Sequence, residues 1–280
     1  MSLFSLDRWS TPHREALLER LRNCFSSEDS QLNRACIYPI ETGGKRIRPL
    51  FLFAGLEALG HTVEDDAYTA AAAVELIHTY SLVHDDLPCM DDDDFRRGKP
   101  TVHKQFNEGI AVLVGDALLT KAFEILASVQ RAHVPLLVRL LGQAAGSCGM
   151  IGGQSLDIGF EGSVDSLDRL TLLHRRKTGA LIEVSLAMAA VLGAASPAET
   201  EALTTFGKHI GLAFQLADDI LDAEEDAEDD GPPSFVKLLG ESETNAAAHQ
   251  SMTSALAALK ALQSPTALKA LAEFTVQRTH

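Results

Sequence analysis

Six aspartates fall within ten positions in the stretch "HDDLPCMDDDDFRRGKP", residues 84–100, and Arg96, Arg97 and Lys99 follow at once. Two carboxylates about 4 Å apart repel by roughly 1 kcal/mol in water and about 4 kcal/mol at an effective dielectric near 20. A converged cluster therefore calls for a counter-charge, and a divalent cation supplies one. Asp85, Asp86 and Asp91 form D-D-x-x-x-x-D here, and Asp218, Asp219 and Asp222 form D-D-x-x-D further on. With Gln215, the second set occupies i, i+3, i+4 and i+7, one face of a helix. Magnesium suits such oxygen-only donors, because it takes one or two carboxylates, keeps waters and completes its shell with phosphate oxygens. No Cys/His set with zinc spacing and no D-x-D-x-D-G calcium loop competes. The alternative is a pair of solvated acidic helix ends.

Cations stand near both clusters. In "ETGGKRIRP", residues 41–49, the spacing predicts a helix opening at the glycines, with Lys45 and Arg48 at i and i+3 beside free N-terminal amides. That is either an anion site into which diphosphate would fit or a basic helix start with ordinary surface pairs. His78 precedes Asp85 by two helical turns, either as a core histidine or on the same face as the aspartate. Lys177 and Thr178 lie in "HRRKTG", residues 174–179.

The elements that position these residues read as helices. Apolar residues recur at helical spacing, Ala and Leu are abundant, and alternating strand patterns are few. The expectation is all-α, with helices at about 13–25, 31–40, 44–59, 64–87, 101–107, 110–130, 135–157, 166–193, 198–223, 243–262 and 265–277. Glycines and prolines punctuate them, and no Ser/Gly or Pro linker divides residues 1–280, which favours one domain.

The chain has 280 residues, 46% of them hydrophobic, enough for a substantial core, and a formal net charge of −15. An acidic balance argues against a general nucleic-acid binder. Cys24, Cys36, Cys89 and Cys148 show no C-x-x-C spacing and read as reduced thiols, which fits the cytoplasm. The N-terminus lacks a basic start with a long apolar run. The apolar stretch at 178–196 carries Glu183 and falls short of a membrane span.

The segments "GGKRIRP", "LVHDDLPCMDDDDFRRGKPT", "GMIGGQSLDI", "HRRKTGALIE" and "GLAFQLADDILD" resemble, in order, the motifs of the trans-type isoprenyl diphosphate synthases, bacterial farnesyl diphosphate synthases above all. The resemblance covers about residues 40–240. It implies an all-α bundle of the isoprenyl synthase type with a central cavity, a homodimer, and three magnesium ions when substrate is bound. By the same resemblance Asp85, Asp86, Asp91, Asp218, Asp219 and Asp222 would hold metal. Lys45, Arg48, His78 and Arg97 would hold isopentenyl diphosphate, and Arg96, Lys177, Thr178 and Gln215 the allylic diphosphate. Asp85, Asp91, Arg96, Lys177 and Asp218 would act on the reacting diphosphate. Tyr80, five residues before Asp85, and Ser81 would set product length at fifteen carbons, although ideal geometry turns Tyr80 about 140° from Asp85.

Family members usually carry a longer loop with lysines after the second cluster. Here "DDILDAEEDAEDDGPPSFVKLLG" has no Lys or Arg between His209 and Val236, so Lys237 is the replacement on offer. Weaker allylic binding or slower turnover is the expectation. The alternatives are a geranyl or geranylgeranyl diphosphate synthase, a terpene cyclase, which would lack the Lys45/Arg48 site, and a non-catalytic relative.

Overall fold

The structure is a computed structural model and describes residues 4–26, 30–223 and 233–276. The chain divides into two compact units, residues 1–53 with 63–138, and residues 54–62 with 139–280. Among the described residues the only strands are the two pairs of a short ribbon, and the other regular elements are helices.

The first unit holds α1 (Leu6–Asn23), α2 (Gln31–Glu41), α4 (Asp65–Asp85), α5 (Val102–Gln105) and α6 (Glu108–Leu126). The side chains of Ser5, Ser30 and Asn107 cap α1, α2 and α6 by accepting the amides of Arg8, Asn33 and Ile110. Ser5 is why α1 opens at Leu6 rather than at 13. The helix runs through Pro12, which forfeits only its own bond to the Arg8 carbonyl. Residues Ala70 to Ile77 of α4 are buried without interruption. A helix covered on every side is a core element, and α4 packs against α6. Its C-terminal end, carrying Asp85, is therefore held by the core.

Between α4 and α5 the chain forms a ribbon missed by the sequence reading, β1 (Phe95–Arg96) and β2 (Lys99–Pro100), paired Phe95 with Pro100 and Arg96 with Lys99. Its two-residue loop has Arg97 at φ 54° and Gly98 at φ 74°. Positive φ at both positions is the primed turn whose twist matches antiparallel strands.

Helix α3 (Ile47–Ala58) and helix α7 (Val134–Ala145) cross the division between the units. The predicted start of α3 at 44 is wrong. Gly43, Gly44 and Arg46 have φ of 93°, 127° and 52°, so no helix begins before Ile47. The predicted 135–157 helix is in fact two, α7 and α8 (Met150–Asp157). A Cβ at Gly149 would stand 2.0 Å from the Ala144 carbonyl oxygen, so the tight turn between them requires glycine. Residues 134–157 together are long and apolar enough to cross a membrane by composition. The break leaves helices of 12 and 8 residues, each short of the roughly 20 a span needs.

The second unit also contains α9 (Leu167–His174), α10 (Ala180–Leu192), α11 (Pro197–Ala223), α12 (Phe235–Leu239), α13 (Glu241–Ala258) and α14 (Thr266–Val276). Helix α11 packs on α10 and α13. Leu216 of α11 joins Leu170, Phe235 and Ala248 in a buried cluster, with Leu212 and Ile220 packed against it. The predicted 166–193 helix holds a π turn, Arg175–Gly179, between α9 and α10. Helix α12 is a further element missed by the sequence reading.

Candidate active site

In the first unit the aspartate-rich segment folds back on the end of α4. Asp86 caps the helix, and the Asp91 amide donates to the Asp85 carbonyl at 2.9 Å, so the intervening residues form a tight loop. Carboxylates at a helix C-terminus face the negative end of the helix dipole, which adds to their mutual repulsion and strengthens the need for cations. Arg96 answers part of it. Its Nε donates to Asp86 Oδ1 at 2.6 Å and a terminal nitrogen to Asp93 Oδ2 at 3.1 Å. Burial pushes the Asp86 carboxyl up, while Arg96 pulls it down. Arg96, expected from the resemblance to serve the allylic substrate, is thus seen on Asp86, and a metal at Asp86 would share that carboxylate with a guanidinium.

The predicted diphosphate cations gather in part. Arg97, placed by the ribbon turn, donates to the Gly43 carbonyl and lies over Gly44, where a Cβ would stand 2.6 Å from its guanidinium. Lys45 is not on a helix face with Arg48, as the spacing predicted. It precedes α3 in the left-handed turn, exposed, while Arg48 is in the first turn of α3. His78 on α4 is held well below the usual histidine range, first by burial and then by the charges of Arg48, Arg97, Arg46 and Arg96. A neutral imidazole among four guanidinium groups marks a strongly electropositive place in an acidic chain. Arg46, not singled out from the sequence, is buried and pairs with buried Glu75 at 2.6 Å, which fixes the turn that carries Lys45.

Tyr80 is buried at 5% exposure, and its hydroxyl has no hydrogen-bond partner among the described residues. Its ring meets His84 edge-on at 5.9 Å. Burial, and then the Asp85 charge, pushes its pKa up to about 12. The Ser81 hydroxyl donates to the His78 carbonyl at 2.9 Å.

The second unit supplies a cavity of about 450 Å³ lined by Lys177, Thr178, Gln215, Asp218, Asp219 and Asp222, every site residue the sequence suggested there. That size lies within the range of small-molecule sites. Helix α11 makes it possible. At about 100° per residue, the core stripe Leu212–Leu216–Ile220 sits beside Gln215 and the three aspartates, with Asp219 nearest the stripe. Accordingly burial raises the Asp219 carboxyl, while the Phe235 amide, donating to its Oδ2 at 2.6 Å, and His174 oppose the rise.

Three further polar lining residues escaped the sequence reading: Asp157, His174 and Ser234. Asp157 at the end of α8 pairs with Lys177. Gln215 Oε1 receives the Thr178 hydroxyl at 3.2 Å and lies 2.7 Å from His174 Nδ1, and Gln215 Nε2 donates to Asp218 Oδ2 at 3.4 Å. His174 stacks on Phe235 with ring centroids 5.3 Å apart. The π turn aims Lys177 and Thr178, a common use of such an insertion. Helix α8 lies so close beneath it that a Cβ at Gly153 would fall 2.3 Å from the Lys177 amide nitrogen. Signals existed in "GMIGGQSLDI", where Gly153 and Asp157 are i and i+4. Lys237 also lines the cavity. The acidic segment 224–232, on which the loop expectation rests, lies outside the described residues.

All-oxygen carboxylate donors around an open, cation-bearing cavity fit magnesium and a diphosphate. Residues 29–236 match the polyprenyl synthetase family. The chain is 41% identical to the farnesyl diphosphate synthase of Micrococcus luteus, over 93% of this chain and 94% of that one. It is 47% identical to the farnesyl diphosphate synthase of Geobacillus stearothermophilus, over 73% and 70%. The fold is similar to the FPP/GFPP synthase of Zymomonas mobilis, with TM-score 0.90, 35% identity, and 97% and 98% of the two chains covered. The chain belongs to the polyprenyl synthetase family.

Proposed function

We propose that this protein is a magnesium-dependent trans-prenyltransferase that condenses isopentenyl diphosphate with dimethylallyl or geranyl diphosphate to give farnesyl diphosphate. The observation that carries the reading is the cavity joining Asp218, Asp219 and Asp222 to Lys177, Thr178 and Gln215, in a chain whose farnesyl diphosphate synthase relatives match most of its length.

Asp218, Asp219 and Asp222, and Asp85, Asp86 and Asp91 in the first unit, would hold magnesium, three ions with substrate bound. Magnesium held there would supply positive charge that neutralises the diphosphate and stabilises it as it departs. Lys177 and Thr178 orient the leaving group from the π turn, and Asp157 keeps Lys177 in place. Gln215 ties Thr178 to Asp218, so the π turn and the carboxylate face of α11 are linked. Arg97 with Lys45, Arg48 and neutral His78 holds the diphosphate of isopentenyl diphosphate. Arg96 holds Asp86 ionised and turns to the allylic diphosphate when substrate binds. Preorganised charge of this kind does most to lower the barrier to an ionisation, and no nucleophilic serine or cysteine is required.

Tyr80, buried with a bare hydroxyl, forms the wall that ends chain growth at fifteen carbons, with Ser81 beside it. The whole chain works as one catalytic domain, as a homodimer in the cytoplasm. Exposed Val112 and Leu113 on α6 offer apolar surface for a second copy. The test is to incubate the purified protein with labelled isopentenyl diphosphate and each allylic primer, with and without magnesium, and to weigh the dephosphorylated products. A fifteen-carbon alcohol formed only with magnesium supports the proposal. A ten- or twenty-carbon product moves it to a geranyl or geranylgeranyl diphosphate synthase, and no product with any primer overturns it.

A further inference from the structure

We propose that Asp92, Asp94 and His103 form an additional cation site, selective for an imidazole-seeking divalent ion such as zinc, on the loop that follows the first aspartate cluster. One ligand atom from each of the three residues lies within 4.8 Å of the other two. The imidazole distinguishes this set from the magnesium aspartates, since carboxylate oxygens alone suit magnesium whereas an imidazole nitrogen favours zinc and its neighbours.

The hydrogen bonds point to one tautomer of His103. The Thr101 hydroxyl has one proton and donates it to the Asp93 carbonyl at 2.8 Å. It therefore accepts from His103 Nδ1, 3.1 Å away. With its proton on Nδ1, the neutral ring carries its lone pair on Nε2. That atom is buried and has no hydrogen-bond partner among the described residues, in a residue only 7% exposed. A lone pair left bare in the interior, on a residue clustered with two carboxylates, is the state of a metal-ligating histidine whose other nitrogen is fixed by a polar neighbour. The Asp94 carbonyl accepts the Thr101 amide at 3.0 Å, which ties the aspartate loop to the turn bearing the histidine.

Zinc holds its ligand atoms at about 2.0–2.2 Å, so the side chains close on the ion. Asp92 is exposed and can swing. Asp94 is held at Oδ1 by Lys104, 2.7 Å away, on an exposed side chain that can yield. Water completes the shell. The ion would clip the turn after Asp91 onto α5.

The test uses the full chain in millimolar magnesium without diphosphate, with zinc chloride as titrant, read by calorimetry and by metal content after gel filtration. One zinc per chain is expected. Asp92→Asn, at an exposed position that leaves folding intact, should weaken zinc binding at least tenfold. Thr101→Val, which frees the tautomer, should weaken it about 10–100-fold, and His103→Gln should abolish it. Asp92→Asn should keep the magnesium-dependent condensation rate, so a failure of the prenyltransferase reading would show in the rate and leave the zinc result readable. No retained zinc, or equal affinity in wild type and Asp92→Asn, overturns the proposal, as does zinc binding lost instead through Asp218→Asn.

Discussion

Asp219 meets two opposed demands. It stands beside the Leu212–Leu216–Ile220 stripe, where burial raises its carboxyl, and it lines the cavity where a metal ligand must be ionised. A carboxylate whose folded pKa exceeds its unfolded value destabilises the fold in its charged form. The cost is present in full above the folded pKa and is relieved as pH falls through it. Asp219→Asn, which still accepts the Phe235 amide, should therefore raise the melting temperature at pH 7, with the gain shrinking as melts are run at lower pH. The same change should lower kcat by about a hundredfold or more, as loss of a charge-stabilising group does. Tyr80 tests a different property. If its ring ends the growing chain, Tyr80→Ala opens that wall, and mass analysis should find twenty-carbon product at the expense of fifteen-carbon product. The sequence made both residues visible by type and spacing. It did not reveal the Arg96–Asp86 pair, because the bond depends on a ribbon whose Arg97-Gly98 turn lacks the usual Asn or Asp.

At the scale of elements, the site depends on how closely α8 approaches the π turn. Gly153 leaves room for the Lys177 backbone, and Asp157, one helical turn on, grips its ammonium. Gly153→Ala should cost about 1–3 kcal/mol of stability, the usual range for overpacking, measurable by denaturant titration. It should also raise KM for the allylic substrate more than KM for isopentenyl diphosphate. Helix α11 was fully legible, because its apolar stripe and polar face keep a 3.6-residue period from Pro197 to Ala223. The π turn was not, since one extra residue leaves the apolar pattern of residues 166–193 nearly unchanged. Nor was the left-handed path through Gly43, Gly44 and Arg46, where periodicity extended α3 backwards. Short α12 lacked the length for a period to show. It is defined instead by the Ser234 cap and by Phe235, whose amide is taken by Asp219 and whose ring meets His174.

Across the whole molecule, charge and chemistry point in different directions until metal is considered. The chain carries −15, yet its substrates are polyanions, and local cations with carboxylate-bound metal would reconcile the two. The family itself was readable from motif order alone, as the match over residues 29–236 bears out. Composition also suggested unpaired thiols, and all four cysteines are free. In the proposed reaction, carboxylates grip diphosphate through divalent ions. Calorimetric binding of an unreactive allylic thiolodiphosphate, with and without magnesium, to wild type and Asp218→Ala tests it most directly. Binding to wild type should need magnesium and fall at least a hundredfold in the variant. Equal binding with chelator present, or in the variant, would contradict it.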